Sequence, residues 1–430
     1  MIQALLDADD HVERLLRADL RFHKADGGHA RHGVHAFAAK FPPQLPAWFI
    51  EGLTEPGDVV LDPFLGSGTT IVEAMRLNRQ AMGIDIDPLA VLISRVKTFH
   101  LDSARILDYG AAITDHARDA LLHPNRLTQY VTARFPEEKD RQFVDYWFLP
   151  STILELEALM EGIERIDAIA YRQFLLVVFS SIIVTKSGGV SMARDLAHSR
   201  PHKVATKVPK SAIDSFQKRL LKLAPALTSL DSAYEPVIQQ GDIRQVDMVE
   251  NSVDLIVTSP PYANAIDYVR ANKFSLVWMG QSLRELAILR SNYIGTESHK
   301  LFAWDAFPER VQNILQTLNL KDHQKAGLLA RYFADMSQAM QGMYRALKPG
   351  KSVFIVVGTS TMRGLDVETP QSLVLIAQNM GYQLRGLVER SFDRDRRMMP
   401  ARWGNQQTGI EQRMHAEHVI ALTKPQGPER

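Results

Sequence analysis

The chain has 430 residues and a net charge of +1, with 45% hydrophobic and 23% charged residues. This balance is typical of a globular protein and excludes an overall basic field, so nucleic-acid binding would need a local basic surface. The absence of cysteine excludes disulfides, thiolate metal sites and a cysteine nucleophile, and it fits a reducing, cytoplasmic setting. We expect a soluble protein without an export signal, because the N-terminus is acidic and the longest apolar run, residues 174–184, is too short to span a bilayer.

The first informative pattern is a strand, a glycine loop and a helix. Residues 59–61 predict a short buried strand ending at Asp62, residues 66–68 (GSG) a tight loop, and residues 69–77 a helix. This order is typical of the nucleotide-binding half of a doubly wound α/β sheet. No lysine follows the loop and Ile71 replaces a third glycine, which excludes a P-loop and a dinucleotide fingerprint. The loop therefore suits a ligand with a carboxylate at the helix N-terminus and an ammonium facing Asp62.

A second acidic strand end follows in QAMGIDIDP, where a short strand is predicted to end at Asp85, before Asp87. An acidic residue at this point is placed to accept hydrogen bonds from ribose hydroxyls. The alternative is that Asp85 caps the helix predicted at residues 89–96. A third strand is predicted to close at Gly241 and Asp242, which leaves Asp242 available to a donor such as an amino group.

The stretch VDLIVTSPPY, residues 253–262, predicts a buried parallel strand that stops at two prolines, because neither proline has an N–H to donate. Ligands bind at the carboxyl ends of strands in open α/β sheets. The Ser259 hydroxyl, the unpaired carbonyls and the Tyr262 ring therefore suit a flat ligand with an amino group. The alternative is a proline-terminated strand followed by a loop.

Residues 101–236 lack the strand–helix alternation and predict helices at 103–122, 151–166, 171–185 and 211–223. We expect a helical insertion between two parts of one sheet domain, residues 1–100 and 237–430. The insertion contains a basic, loop-like stretch predicted to bind nucleic-acid phosphates, with a solvated loop as the alternative. Its basic residues are Lys186, Arg194, Arg200, Lys203, Lys207 and Lys210.

Three further segments complete the prediction. The histidine-containing residues 24–35 are interpreted as a polar loop rather than a metal site, since no helical ligand spacing is present. Residues 348–350 predict a turn before a buried strand at 352–357, and strands at 382–388 and 418–422 predict an antiparallel sheet edge. The arginine-rich segment between these last two strands is either a second basic element or a surface hairpin.

Taken together, DPFLGSGTT, GIDID, GD and TSPPY resemble the motifs of the amino-group DNA methyltransferases, which use S-adenosyl-L-methionine. The resemblance implies a mostly parallel, seven-stranded Rossmann-like sheet and methylation of an exocyclic nitrogen in duplex DNA, with a cognate restriction endonuclease as a candidate partner. A serine before PPY is similar to the cytosine-N4 subgroup, and adenine N6 is the alternative. The carbon-5 cytosine branch is excluded because it requires a cysteine nucleophile.

The resemblance also assigns roles to residues. The target base, extruded from the duplex, would be bound by Ser259, Pro260, Pro261 and Tyr262. The cofactor would be bound by Phe41, Pro42, Asp62, Pro63, Phe64, Gly66, Ser67, Gly68, Thr69, Thr70, Asp85, Asp87 and Asp242.

Two rival interpretations remain, an RNA guanine-N2 methyltransferase and a non-catalytic binding protein. DNA sequence would be read by the helical insertion or by residues 281–330. The whole interpretation requires that the loop at Gly66 and the tip at Pro260 line one cavity.

Overall fold

The computed structural model describes residues 11–22, 29–37, 40, 42–185, 189–194, 196, 201–228, 230–263, 268–295, 304–391 and 416–426. The N-terminal part consists of α1 (residues 11–16), α2 (Gln44–Leu53), β1 (Val59–Asp62), α3 (Thr69–Arg76), β2 (Gln80–Asp85) and α4 (Pro88–Thr98). The helical insertion consists of α5 (Ser103–Ala120), α6 (Pro124–Arg134), α7 (Glu138–Trp147), α8 (Pro150–Glu164), α9 (Ile169–Ile183) and α10 (Ala212–Leu223).

The second part of the sheet domain begins with β3 (Val237–Gln240), β4 (Val253–Thr258), α11 (Tyr268–Trp278) and α12 (Leu283–Asn292). It continues with α13 (Glu309–Lys321), α14 (His323–Ala346), β5 (Leu347–Gly358), β6 (Thr361–Met362) and β7 (Leu365–Asp366). It ends with α15 (Thr369–Asn379), β8 (Gln383–Ser391) and β9 (Ala416–Thr423). Among the described helices, none combines the length and apolar composition that a membrane span requires.

Seven strands form one sheet in the order β3-β2-β1-β4-β5-β9-β8, which confirms the predicted mixed α/β architecture. The first five strands in this order are parallel, and β9 runs antiparallel to both β5 and β8. The predicted antiparallel edge is therefore confirmed. β1 and β4 are direct neighbours, paired at Val60↔Leu255 and Leu61↔Ile256. The sheet order reverses at this pair, which is where open α/β sheets form a ligand crevice.

Both faces of the central strands are covered by helices, so every residue of β4 is buried. Leu255 and Val257 contribute to the core cluster that includes α1, α2 and α3. Val253 and Ile256 contribute to a second cluster, with α13, α14 and α15. This burial on both faces explains why three consecutive residues of β4, Leu255 to Val257, are apolar instead of alternating with polar ones.

A third core cluster unites the helical insertion with α4 and α11. The prediction missed two helices of the insertion, α6 and α7. In α6, Leu127 is the one fully buried side chain, so the apolar periodicity that signals a helix is weak there. The prediction of a turn at residues 348–350 was also wrong. β5 begins at Leu347, which pairs with Val253, and the next pair is Leu255↔Ser352. Residues 348–351 therefore form a bulge in β5 opposite a single residue of β4.

The histidine-containing segment is not a solvated polar loop in its described part. Ala30–Gly33 forms a 3-10 helix, and Arg31, His32 and His35 are buried. His32 Nε2 is 2.8 Å from Glu73 Oε1, and His35 Nε2 is 3.0 Å from Ser180 Oγ. These histidines therefore serve internal hydrogen bonds.

Candidate functional site

One cavity of about 880 Å³, including its open mouth, lies at the carboxyl ends of β1, β2, β3 and β4. Gly66 and Ser67 line one part of it, and Ser259 and Pro261 line another. The two motifs required to share a cavity therefore do so.

Eleven predicted site residues line the cavity: Asp62, Pro63, Phe64, Gly66, Ser67, Thr69, Asp85, Asp87, Asp242, Ser259 and Pro261. The predicted residues Pro42, Gly68, Thr70, Pro260 and Tyr262 are described but lie outside its lining. Phe41 lies outside the described residues. The prediction missed several lining residues, namely Phe37, Lys40, Arg244, Tyr268, Asn292, Tyr293 and Ile294. Lys40 precedes the predicted cofactor residue Phe41 and Arg244 lies two residues after Asp242, and this proximity was the available signal for them.

The glycine loop depends on left-handed backbone at two positions. Gly66 has φ +49° and Gly68, the residue before α3, has φ +74°. Side chains other than glycine rarely adopt this conformation. The loop is also held from α4: Ser94 Oγ donates to the Gly66 carbonyl at 3.1 Å, and Lys97 Nζ donates to the Ser67 carbonyl at 2.6 Å. Gly68 does not line the cavity and instead lies against Ser94 of α4.

Asp62 lies at the tip of β1 with 2% of its surface exposed. Its Oδ1 accepts hydrogen bonds from Thr258 Oγ1 at 2.6 Å and from the Phe64 N–H at 3.2 Å. Burial raises the pKa of Asp62 to about 6, although these donors oppose the shift. Thr70 donates to the Val257 carbonyl at 3.2 Å, so it ties α3 to β4.

Asp85 lies at the tip of β2 and closes the glycine loop. It accepts from the Gly66 N–H at 2.7 Å and from the Asp87 N–H at 2.9 Å. Burial, followed by the neighbouring charge of Asp87, raises the pKa of Asp85 to about 7. Asp85 does not cap α4, which contradicts the alternative interpretation of that residue.

The cap of α4 is Asp87, whose Oδ1 accepts from the Leu89 N–H at 2.8 Å and from the Ala90 N–H at 3.3 Å. Its Oδ2 accepts from Asn272 Nδ2 at 2.6 Å, and burial raises its pKa. A helix-capping carboxylate is a structural role. Asp87 nevertheless also lines the cavity.

Two cations border the acidic part of the cavity. Arg244 Nε lies 2.9 Å and 3.0 Å from the two carboxylate oxygens of Asp242, and Arg244 Nη1 lies 2.6 Å from Asp335 Oδ1. Lys40 Nζ donates to the carbonyls of His32 at 3.0 Å and His35 at 2.8 Å. The cavity therefore presents both signs of charge, as a zwitterionic ligand requires.

Four of the six basic residues predicted to bind phosphates lie in the described part of the chain. Arg194, Lys203 and Lys210 are exposed, whereas Lys186 and Arg200 lie outside the described residues. Lys207 Nζ donates to the carbonyls of Ser191 at 2.6 Å and Ala193 at 2.8 Å. Its ammonium holds the loop together through two of its three N–H groups, and a phosphate contact at Lys207 stays a prediction.

Comparison with known proteins gives the same picture as the motifs. Residues 18–95 match the N6/N4 DNA methylase family. The chain is 23% identical to the Type II methyltransferase M.MvaI of Kocuria varians over 370 residues, which cover 79% of each protein. It is 22% identical to the Type II methyltransferase M.BsoBI of Geobacillus stearothermophilus, covering 84% of this chain and 80% of that protein.

A shorter and more similar match is to the Type II methyltransferase M.MjaII of Methanocaldococcus jannaschii, with 41% identity over 75 residues, 17% of this chain and 14% of that protein. Among solved structures, an S-adenosylmethionine-dependent methyltransferase from Methanosarcina mazei is 8% identical. It covers 88% of this chain and 98% of that one, with a TM-score of 0.32.

Proposed function

Since the chain belongs to the N6/N4 family of DNA amino-methyltransferases, which use S-adenosyl-L-methionine, we propose that it methylates N4 of cytosine in duplex DNA. The observation that carries the proposal is the single cavity lined by both the glycine loop and the tip of β4. The serine before the two prolines favours cytosine N4 over adenine N6.

The residues of the cavity fit the cofactor. Asp62, a buried acceptor at the tip of β1, would bind the methionine ammonium, and the N-terminus of α3 would favour the carboxylate. Asp85 would accept from the ribose hydroxyls, and Asp242, already oriented by Arg244, would bind the adenine amino group. When bound, the cofactor supplies an electrophilic methyl group on its sulfonium.

At the other side of the cavity, the chain's task is to hold the amino group of the extruded base. Ser259 Oγ and the Pro260 carbonyl would accept its hydrogens, which increases the lone-pair character of the nitrogen. The rigid proline backbone fixes these acceptors, so the acceleration comes mainly from positioning. No covalent intermediate with the protein is required.

The test uses purified protein, labelled S-adenosyl-L-methionine and unmethylated duplex DNA, followed by mass spectrometry of the nucleosides. N4-methylcytosine is the expected product, and the Ser259→Ala variant is the control for background transfer. N6-methyladenine would overturn the assignment of the base. Transfer to tRNA but not to DNA would overturn the DNA substrate and identify the enzyme as an RNA methyltransferase.

Cofactor affinity is expected to fall as the pH decreases from 8 to 5. The pKa values of Asp62 (about 6) and Asp85 (about 7) lie above that of an ordinary aspartate, so both acids become protonated in this range. The ligand ammonium is bound by the ionised form of Asp62. Below pH 6 the dissociation constant should therefore rise by about tenfold per pH unit. Isothermal titration calorimetry at several pH values measures this change.

The Asp62→Asn variant is the control. It should bind the cofactor more weakly than the wild type, and its dissociation constant should lack the steep rise below pH 6. The same pKa shifts lower the stability of the free protein as pH rises. The folded state holds these protons more tightly than the unfolded state, so ionisation between pH 4 and 7 costs folding free energy. A dissociation constant that stays constant from pH 8 to 5 would contradict the proposed ammonium site.

Replacing Arg194, Lys203 and Lys210 with glutamine is expected to flatten the salt dependence of DNA binding. All three side chains are exposed on the helical insertion. Removing one cation that binds a phosphate reduces the slope of log K against log[salt] by roughly 0.9, so the slope should fall by about 2 to 3. Fluorescence anisotropy with a labelled duplex at several salt concentrations gives the slope.

The control is a charge-matched triple substitution of Arg14, Arg17 and Lys321 by glutamine. Arg14 lies on α1, Arg17 directly after that helix and Lys321 on α13, and all three side chains are exposed. The helices α1 and α13 belong to the two core clusters that do not include the insertion. If both triple variants change the slope equally, the basic stretch of the insertion is not a specific DNA contact.

A further inference from the structure

The tips of β1 and β4 are joined by a side-chain hydrogen bond beyond the end of their backbone pairing. The last paired residues of these two strands are Leu61 and Ile256. After Ile256, β4 continues to pair with β5 as far as Thr258↔Ile355. On its other side, the Thr258 hydroxyl reaches Asp62, with 2.6 Å between Thr258 Oγ1 and Asp62 Oδ1. The bond therefore spans the two strand tips beside the cavity, which Asp62 lines.

Both partners of this hydrogen bond are shielded from water. Thr258 is fully buried, and Asp62 is almost fully buried. Bulk water therefore cannot replace the hydroxyl, and a hydrogen bond to a charged group is stronger in such surroundings. An ionised carboxylate can only accept hydrogen bonds, so Thr258 is the donor whenever Asp62 carries its charge.

The same bond determines how the carboxylate of Asp62 is oriented. Oδ1 accepts from Thr258 and also from the Phe64 N–H at 3.2 Å, so both of these internal donors converge on one oxygen. A rotation of the carboxylate away from this orientation would break both bonds. Oδ2 is therefore the oxygen that a ligand ammonium in the cavity would contact.

We infer that Thr258 is a positioning residue for the methyl donor, because its hydroxyl orients the Asp62 carboxylate toward the cofactor ammonium. The inference rests on the proposed function, which places the methionine ammonium at Asp62. The charge state of the acid agrees with this role, since burial raises the pKa of Asp62 to about 6 and the Thr258 hydroxyl opposes the increase. Thr258 also directly precedes Ser259, so the bond links the ammonium site to the tip that would hold the base.

Two substitutions isolate the hydroxyl. Thr258→Val removes it and keeps a branched side chain, whereas Thr258→Ser keeps it and removes the methyl group. Thr258→Ala is a second variant without the hydroxyl, for use if the valine variant does not fold. The melting temperature of each variant shows whether it is folded during the binding measurements.

Two ligands isolate the ammonium. S-adenosyl-L-methionine carries it, whereas 5′-methylthioadenosine shares the adenosine and the sulfur but lacks the ammonium and the carboxylate. In calorimetric titrations at neutral pH, Thr258→Val should raise the dissociation constant of S-adenosyl-L-methionine about tenfold to a hundredfold, as for the loss of a hydrogen bond to a charged group. Its affinity for 5′-methylthioadenosine should stay near the wild-type value. Thr258→Ser should bind both ligands nearly as the wild type does.

The pH dependence is a readout that a merely structural role would not change. The dissociation constant of S-adenosyl-L-methionine divided by that of 5′-methylthioadenosine cancels the ribose and adenine contacts that the two ligands share. In the wild type this ratio should rise as the pH falls through about 6, where Asp62 becomes protonated. Without the hydroxyl, the carboxylate loses a donor and protonates more readily. In Thr258→Val the rise should therefore occur about one to two pH units higher.

Thr114→Val is the matched control for the loss of a buried threonine hydroxyl. Thr114 is buried in α5 of the insertion, and its hydroxyl donates to the carbonyls of Gly110 at 3.0 Å and Ala111 at 2.9 Å. Thr114 does not line the cavity. This variant should keep the wild-type dissociation constants and the wild-type pH dependence of their ratio.

The outcomes distinguish the inference from the proposed function. Wild-type protein that does not bind S-adenosyl-L-methionine would overturn the proposed function, and this inference with it. If the wild type binds it and the variants without the hydroxyl keep the same affinity and pH dependence, the inference alone is overturned. An equal loss of affinity for both ligands in those variants would also overturn it, since the cavity as a whole would then be distorted.

Discussion

Gly68→Ala is expected to abolish measurable cofactor binding and to lower the free energy of unfolding by about 2 to 5 kcal/mol. A Cβ at this position would lie 2.7 Å from Ser94 Oγ and 2.9 Å from Ser94 Cβ. The backbone there has φ +74°, which costs an alanine about 1 to 2 kcal/mol. Displacing Ser94 costs more, because its hydroxyl holds the Gly66 carbonyl. Urea unfolding and calorimetric titration of the cofactor measure the two effects.

A second glycine separates the backbone strain from the steric clash. Gly364 has φ +75°, and a Cβ added there would meet nothing within 4 Å. Gly364→Ala should therefore lose only about 1 to 2 kcal/mol and keep cofactor binding. The expectation fails if Gly68→Ala is no more destabilised than Gly364→Ala.

Arg31→Met is expected to lower the free energy of unfolding by about 3 to 5 kcal/mol. The guanidinium is fully buried and donates to three backbone carbonyls, those of Lys97, Phe99 and Leu227. Burial lowers the pKa of Arg31 only to about 10, so it is charged at neutral pH. Methionine leaves the carbonyls without these donors, at about 1 to 3 kcal/mol each, and its apolar burial offsets part of the loss.

The comparison variant is Arg17→Met, at a side chain that is 75% exposed and paired with Glu13 on the surface. It should change the stability by less than about 0.5 kcal/mol. Chemical denaturation of both variants provides the measurement. A change below about 1 kcal/mol in Arg31→Met would show that water or other donors replace the guanidinium.

Features that depend on neighbouring residues in the chain could be predicted from the sequence. The loop at Gly66 and the strand ending before Pro260 can each be recognised within about ten residues, and parallel strands bring their ends together at one edge. Contacts between distant residues are not visible in this way. Glu417 reaches Tyr262 across 155 residues, and Arg31 reaches Leu227 across 196. Lys207 was predicted to bind a phosphate, and its two carbonyl acceptors, Ser191 and Ala193, could not be foreseen because only the folded loop brings them to it.

The attachment of α4 has a consequence for engineering. The glycine loop is held by Ser94 and Lys97, while Arg31 fastens the end of the same helix to the Leu227 carbonyl in the insertion. A chimera that exchanges residues 101–236 for those of a relative would therefore disturb the glycine loop of the proposed cofactor site as well as any specificity module. We expect such grafts to succeed only when α4 and its arginine anchor are transplanted together with the helices.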